Sequence, residues 1–91
     1  MDNSLMEQKL DPVLKKRLKN GTNDILPVIV QTIDGLTDDD RQIVSTVGGK
    51  IKDDLKIINS YSADLTADAI SSVILSPRVK MIYYDSVVQA I

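Results

Sequence analysis

The chain has 91 residues, of which 43% are hydrophobic and 26% charged, and its formal net charge is −2. This composition is typical of one small globular domain, and the slight excess of acid argues against a nucleic-acid-binding protein, which needs a basic surface. Cysteine and histidine are both absent, which excludes disulfides, thiolate metal sites, cysteine nucleophiles and Ser-His-Asp triads. An enzyme that lacks both residue types has few catalytic groups left to use.

The N-terminal part, residues 1–10, is polar and predicts a frayed terminus without the basic and apolar regions of a signal peptide. Asp11 and Pro12 predict the cap and first position of a short helix that ends at Asn20-Gly21. Its apolar face should contain Leu10, Val13, Leu14 and Leu18, and its four cations, Lys15, Lys16, Arg17 and Lys19, fit a solvated face near the helix C-terminus. The longest apolar run, residues 25–30, is too short to span a membrane.

The next two predicted elements are a strand and a helix. Leu26 to Thr32 is rich in β-branched residues, with Pro27 near its start, and predicts a strand. Thr37 and Asp40 form a capping box that opens a helix, whose buried stripe should be Ile43, Val44 and Val47 and whose end is marked by Gly48-Gly49.

The second half of the chain predicts two strands, a helix and a last strand. Lys50 to Ile58 should form a strand anchored by Ile51, Leu55 and Ile57, with an irregularity at Asp53-Asp54. Residues 60–65 alternate between apolar and polar, which indicates a half-buried strand with Tyr61, Ala63 and Leu65 inside. Thr66 caps a helix that carries Ala69, Ile70, Val73 and Ile74 and ends at Ser76-Pro77, and Val79 to Tyr84 is the final strand.

This order predicts an α+β, ferredoxin-like βαββαβ fold, in which two helices cover one face of a four-stranded antiparallel sheet. An internal echo supports it, because residues 36–39 (LTDD) recur as residues 65–68 (LTAD), each after a strand and before a helix. The domain organisation expected is an N-terminal extension at 1–24, an α/β sandwich at 25–85 and a C-terminal tail at 86–91.

The uncovered sheet face is the predicted functional surface. On the last strand Met81, Tyr83 and Asp85 share one side, and we assign Ile82 to the helix-covered core. Large side chains on an exposed sheet face indicate a partner-binding surface. The alternative is that the N-terminal helix folds back over Met81 and Tyr83.

Five segments, in this order and spacing, resemble the propeptides of subtilisin-like serine proteases (subtilases), a family that includes proteinase B inhibitor-like, free-standing inhibitors. These segments are Val28-Ile29-Val30, Val47-Gly48-Gly49-Lys50-Ile51, Tyr61-Ser62-Ala63-Asp64-Leu65-Thr66, Ser76-Pro77-Arg78-Val79 and Ile82-Tyr83-Tyr84-Asp85. The resemblance covers residues 26–91. It implies a protein that is not an enzyme and uses no metal or cofactor, but acts as an intramolecular chaperone and tight inhibitor of the cognate protease, extracellular with that protease. No small-molecule ligand is expected, and the charge and the short apolar runs predict no nucleic-acid or membrane partner.

The resemblance also implies a set of protease-binding residues. In this family the open sheet packs on two helices of the protease, and acidic residues cap those helices. Asp85 matches one such position, while Tyr83 stands where well-known members have an acid. The tail would lie in the active-site cleft, with Val88 as the main anchor and Gln89, Ala90 and Ile91 following it, although a β-branched Ile91 before the cleavage point is unusual for the family.

Two other classes of function remain open. One is a stand-alone cytosolic inhibitor of subtilases with the same fold. The other is a ferredoxin-like ligand-binding or acylphosphatase-like domain, which needs a phosphate cradle near the first strand; residues 31–35 contain no arginine. RNA recognition is disfavoured because the central strands lack stacking aromatic residues.

Overall fold

A computed structural model describes residues 8–21 and 24–85 of the chain. Within these residues, three α-helices and four strands follow one another in the predicted order. They are α1 (Pro12–Lys19), β1 (Leu26–Thr32), α2 (Asp38–Thr46), β2 (Lys50–Leu55), β3 (Ser60–Leu65), α3 (Ala67–Val73) and β4 (Val79–Tyr84), with a 3-10 turn at Lys56–Ile58 between β2 and β3. None of the helices within the described ranges is long and apolar enough to cross a membrane.

The four strands form one sheet in the order β2-β3-β1-β4, and each neighbouring pair is antiparallel. The prediction of an α+β fold with a four-stranded antiparallel sheet is therefore confirmed, and the strand order is compatible with a ferredoxin-like arrangement. Strands β1 and β3 are central, so β2 and β4 form the two edges.

The helices begin where their capping residues predict. The Asp11 carboxylate accepts a hydrogen bond from the Leu14 N–H at 2.7 Å and starts α1. Thr37 and Asp40 form a reciprocal capping box at the start of α2, and Thr66 accepts from the backbone of the third residue of α3. Each cap satisfies a backbone N–H that the helix itself leaves without a partner.

The core lies between the helices and one face of the sheet. Val28 and Val30 of β1 and Ile82 of β4 are fully buried there, as the period of two along each strand predicts. Tyr61, Ala63 and Leu65 of β3 and Val44, Ile70 and Val73 of the helices complete it. Gly49 lies where a Cβ atom would overlap the Leu65 side chain, so a residue without a side chain allows α2 and β3 to approach closely.

The second strand is shorter than predicted. It ends at Leu55, and the chain then passes through the 3-10 turn and Asn59, which has a positive φ of 52°. The prediction that Ile57 anchors this strand is wrong, because Ile57 lies in the β2–β3 connection and is fully exposed. An irregularity is present, but it is a register shift between Ile51 and Asp53, just before the predicted Asp53-Asp54 position.

The N-terminal segment also differs from its prediction. Leu10 falls within the predicted frayed terminus but was also predicted on the apolar face of the helix; it is 2% exposed and forms a parallel bridge with Ile82, so the second expectation is the correct one. Leu14 is fully buried, whereas Val13, predicted on the apolar face of α1, is 52% exposed. The reason is geometric: residues 10, 14 and 18 recur every four positions and face the core, and residue 13 lies about 100° away from residue 14 around the helix. The expected N-terminal extension thus contributes to the domain's core.

Candidate partner-binding face

The sheet face opposite the core places residues of β4 beside those of β1. In the register, Tyr83 pairs with Ile29 and Met81 with Gln31. On the other side of β1, Ile29 pairs with Ser62 of β3. Because directly opposite residues of antiparallel strands project from the same face, six side chains form one surface. We call this surface the open face; its members are Ile29, Gln31, Ser60, Ser62, Met81 and Tyr83.

The open face has an apolar side on β1 and β4, formed by Ile29, Met81 and Tyr83, which we call the apolar ridge. Its other side, on β3, carries the hydroxyl groups of Ser60 and Ser62. Tyr83 is 39% exposed, and Ile29 and Met81 are half-buried. Ser60 and Ser62, on the central strand β3 between β1 and β2, are more covered than their predicted polar positions suggested, with 2% and 5% of their surface exposed. The face thus offers an aromatic ring, an isoleucine and a methionine to a partner, and Tyr and Met are enriched at interfaces.

A polar border lies on the β2 side of this surface. Asp53 of β2 pairs with Ser62 and is exposed. Lys52 and Asp64 form an ion pair with an N–O distance of 3.2 Å, and roughly a third of each side chain is accessible. Such an exposed pair adds little stability, but it places charge at the β2 side of the open face. An apolar centre beside a polar rim is the usual anatomy of a protein–protein interface.

Strand β4 separates core and open-face residues as the sequence predicted. Ile82 is fully buried in the core, while Met81 and Tyr83 lie on the open face. Asp85 follows the strand, and its N–H donates to the Pro27 carbonyl at 2.9 Å. Asp85 is only 8% exposed, so its carboxylate would have to become accessible before it could cap a partner's helix. Val88, Gln89, Ala90 and Ile91, the predicted cleft-binding residues, lie outside the described residues.

The N-terminal helix does not fold over Met81 and Tyr83. It packs instead against the outer edge of β4 and the core side of the sheet. Leu14 is part of the core cluster, and the Arg17 guanidinium lies 4.4 Å from the centre of the Tyr84 ring. Tyr84 is one position away from Tyr83 and therefore faces the other side of the strand. These contacts of α1 therefore lie at the edge of β4 and on the core side of the sheet.

Four members of the open face were not predicted as site residues from the sequence: Ile29, Gln31, Ser60 and Ser62. The signal was available in the alternation of β1. Once Val28 and Val30 are assigned to the core, the intervening residue must project from the opposite face. The pairing of Ile29 with Tyr83 depends on the register between β1 and β4, which local sequence does not specify.

A groove lies on the helical side of the domain, between α2 and residues 76–78. This groove has a volume of about 520 Å³ and is lined in part by Ile43, Val47, Pro77 and Arg78. Its cation is already paired: Arg78 Nη2 lies 2.6 Å from Asp34 Oδ1, and Arg78 Nε lies 3.2 Å from Asp40 Oδ1. These hydrogen bonds, that of Asp40 first, raise the pKa of Arg78 above its usual value.

The position of Arg78 bears on the acylphosphatase-like alternative. The sequence offers no arginine in residues 31–35, but the fold brings Arg78 to this loop, where it also donates to the Gly35 carbonyl at 2.9 Å. A phosphate that bound there would compete with two carboxylates for the guanidinium, and their negative charge would repel it. The arrangement therefore favours a structural role for Arg78.

Comparisons with protein-family models, with curated proteins and with solved structures each give no significant match.

Proposed function

We propose that this chain is a propeptide-type inhibitor of a subtilisin-like serine protease, and that it assists the folding of that protease's catalytic domain. The observation that carries the proposal is the open face. Tyr83, Met81 and Ile29 lie together on the side of the sheet that α1, α2 and α3 leave uncovered. The five family-like segments noted in the sequence support the same reading.

The open face has the chemistry required for packing against helices. A flat sheet with an apolar ridge accepts the side chains that project from a helix surface, and burial of an aromatic ring at its centre contributes strongly to affinity. Tyr83 provides that ring next to Ile29 on the neighbouring strand. The polar border formed by Asp53, Lys52 and Asp64 would remain at the rim of the interface, where water is accessible.

Inhibition would combine this surface with the C-terminal tail. In the sequence, residues 86–91 follow directly after Asp85, close to the end of β4, the strand that carries Met81 and Tyr83. An extended segment can add as a strand to the edge of a protease cleft. Because the domain would already be bound through its open face, the tail would act at a high effective concentration.

Assistance in folding follows from the same binding. A domain that binds the native protease but not its unfolded chain stabilises the native form by mass action. If the two packed helices are formed early in folding of the protease, binding also lowers its folding barrier.

The test is an inhibition titration. The purified chain is added to a panel of subtilisin-type proteases, the cognate enzyme included, and residual peptidase activity is measured against inhibitor concentration. We expect a linear loss of activity that ends at one chain per protease. The complex of chain and intact protease should then elute as a single species from a size-exclusion column. Full activity of every protease at micromolar chain would contradict the proposal.

A further inference from the structure

Residues 9–20, which we call the N-terminal strap, lie along the outer edge of β4. At its start, Lys9 Nζ donates to the carbonyls of Ile74 and Ser76 at 2.8 and 3.1 Å, which holds the strap to the end of α3. Leu10 and Leu14 then enter the core, with 2% and 0% of their surface exposed. The strap is thus held by both polar and apolar contacts.

Asp11 takes the place of a neighbouring strand along β4. Its N–H donates to the Ile82 carbonyl at 3.1 Å, and its Oδ2 atom accepts from the Tyr84 N–H at 2.8 Å. Its other oxygen, Oδ1, accepts from the Leu14 N–H. One residue therefore satisfies a donor and an acceptor on the outer edge of β4 while it caps α1. These two β4 groups are the ones through which another strand would pair.

The two edges of the sheet are protected in different ways. The β2 edge carries the charged residues Lys50, Lys52, Asp53 and Asp54 together with a register shift, features that discourage pairing with another chain. By contrast, β4 has Lys80 as its one charged residue among strong β-formers. Within the described residues, the protection of the β4 edge comes from the strap.

We propose that the N-terminal strap acts as a latch: it can detach from the outer edge of β4, and β4 then pairs with β4 of a second copy of this chain. In an antiparallel pair centred on Ile82, Lys80 lies opposite Tyr84 of the second copy. The exposed ammonium of Lys80 would then take the place over the Tyr84 ring that the Arg17 guanidinium now occupies at 4.4 Å. The second copy thus replaces both the hydrogen bonds and the cation of the strap.

This proposal does not rest on the protease-inhibitor function. It concerns the edge of β4, through Lys80, Ile82 and Tyr84, whereas the proposed protease surface is the open face. A chain that failed to inhibit any protease could still associate through this edge, and the two results are read from different measurements.

The test uses the full-length double variant Asp11→Asn/Arg17→Ala. Asparagine remains a good N-cap residue, so α1 keeps its cap. Its amide has a single acceptor oxygen, however, and its NH2 group would face the Tyr84 N–H, a donor against a donor. Leu10 and Leu14 are unchanged. The control is Asp68→Asn/Lys19→Ala, which removes the same charges from exposed positions.

Sedimentation velocity at several micromolar concentrations and hydrogen exchange of the Tyr84 amide are measured on wild type, variant and control. We expect wild type and control to be monomers with a protected Tyr84 amide. In the variant this amide should exchange at least tenfold faster in dilute solution, and it should become protected again as dimers form at high concentration.

Three results would overturn the proposal. The first is a variant that stays monomeric although its Tyr84 amide exchanges rapidly. The second is a dimer whose Tyr84 amide remains unprotected, because that dimer would use another surface. The third is a variant that unfolds or keeps wild-type exchange, since the strap would then be a fixed part of the fold and not a latch.

Discussion

Arg78 and Asp40, 38 residues apart in the chain, are joined by a hydrogen bond of 3.2 Å between Nε and Oδ1. The Asp40 carboxylate also accepts from the Thr37 N–H at 2.9 Å, in the capping box of α2. Asp40 is only 2% exposed. One buried carboxylate therefore ties the start of α2 to the start of β4, the strand that carries the open face.

Replacement of Asp40 with alanine should destabilise the domain. The Thr37 N–H would lose its acceptor and the Arg78 guanidinium its buried partner. A hydrogen bond to a charged group is worth about 1.5–3 kcal/mol, and we expect a loss of at least that size in the free energy of unfolding, measured by urea denaturation. The matched control is Asp39→Ala, at an exposed position in the same helical turn. If both variants have equal stability, the tie between α2 and β4 does not stabilise the fold.

Two adjacent residues of β4 should give opposite phenotypes. Ile82 is fully buried, so Ile82→Ala should reduce the free energy of unfolding by about 2–5 kcal/mol. Tyr83 lies on the open face, and Tyr83→Ala should leave stability nearly unchanged while weakening protease inhibition about tenfold or more. Denaturation and inhibition titration of both variants measure the contrast. A Tyr83→Ala variant that unfolds, next to an Ile82→Ala variant that only loses inhibition, would invert the assignment of the two faces.

The stability of the domain should fall in strongly alkaline solution. Burial, and secondarily the negative charge of Asp40, raise the pKa of Tyr61 above its ordinary value of 10.0. Above about pH 10 the unfolded chain therefore releases the phenol proton while the folded chain retains it, and unfolding becomes more favourable as pH rises. The contribution of this one group is a loss of about 1.4 kcal/mol per pH unit.

Tyr61→Phe isolates this effect, because phenylalanine has no titrating group. We expect the free energy of unfolding of the wild type to fall more steeply between pH 9 and about pH 11 than that of the variant, with the difference given by the slope above. Parallel urea titrations measure both. Identical slopes would mean that the Tyr61 hydroxyl reaches solvent in the folded state.

Removal of Val88 to Ile91 should weaken inhibition far more than it weakens folding. These residues would fill the protease cleft, whereas the core is built from residues such as Val30 and Ile82, which the truncation leaves intact. Inhibition constants and urea denaturation of the full and truncated chains provide the comparison. Equal inhibition by the truncated chain would assign the inhibitory contact to the domain alone.

Sequence predicts what depends on neighbouring residues. The caps Asp11, Thr37 and Thr66, the starts of the helices and the alternation in β4 are local, since each depends on residues within one turn or on a period of two. Ile57 was misassigned because an apolar residue in a turn resembles one at the end of a strand. The αL conformation of Asn59 that ends the turn was not recognised.

The contacts that the sequence analysis missed are long-range. Nothing local to Lys9 indicates that it donates to the carbonyls at the end of α3, and nothing near Asp11 indicates the Tyr84 N–H. The same holds for Arg78, which pairs with carboxylates of the β1–α2 region. Four of the six residues of the open face were also missed, because the pairing of Ile29 with Tyr83 and with Ser62 is set by the sheet register.

The most direct test of the proposed function is a methyl-resolved NMR titration of the chain with a catalytically inactivated subtilisin-type protease. The reporters are the methyl groups of Ile29 and Met81 on the open face, and those of Val44 and Ile70 in the core serve as controls. We predict that the Ile29 and Met81 signals change up to one equivalent of protease and that the core signals change much less. Unchanged Ile29 and Met81 signals at equimolar protease, or changes confined to α2 and α3, would contradict the proposal.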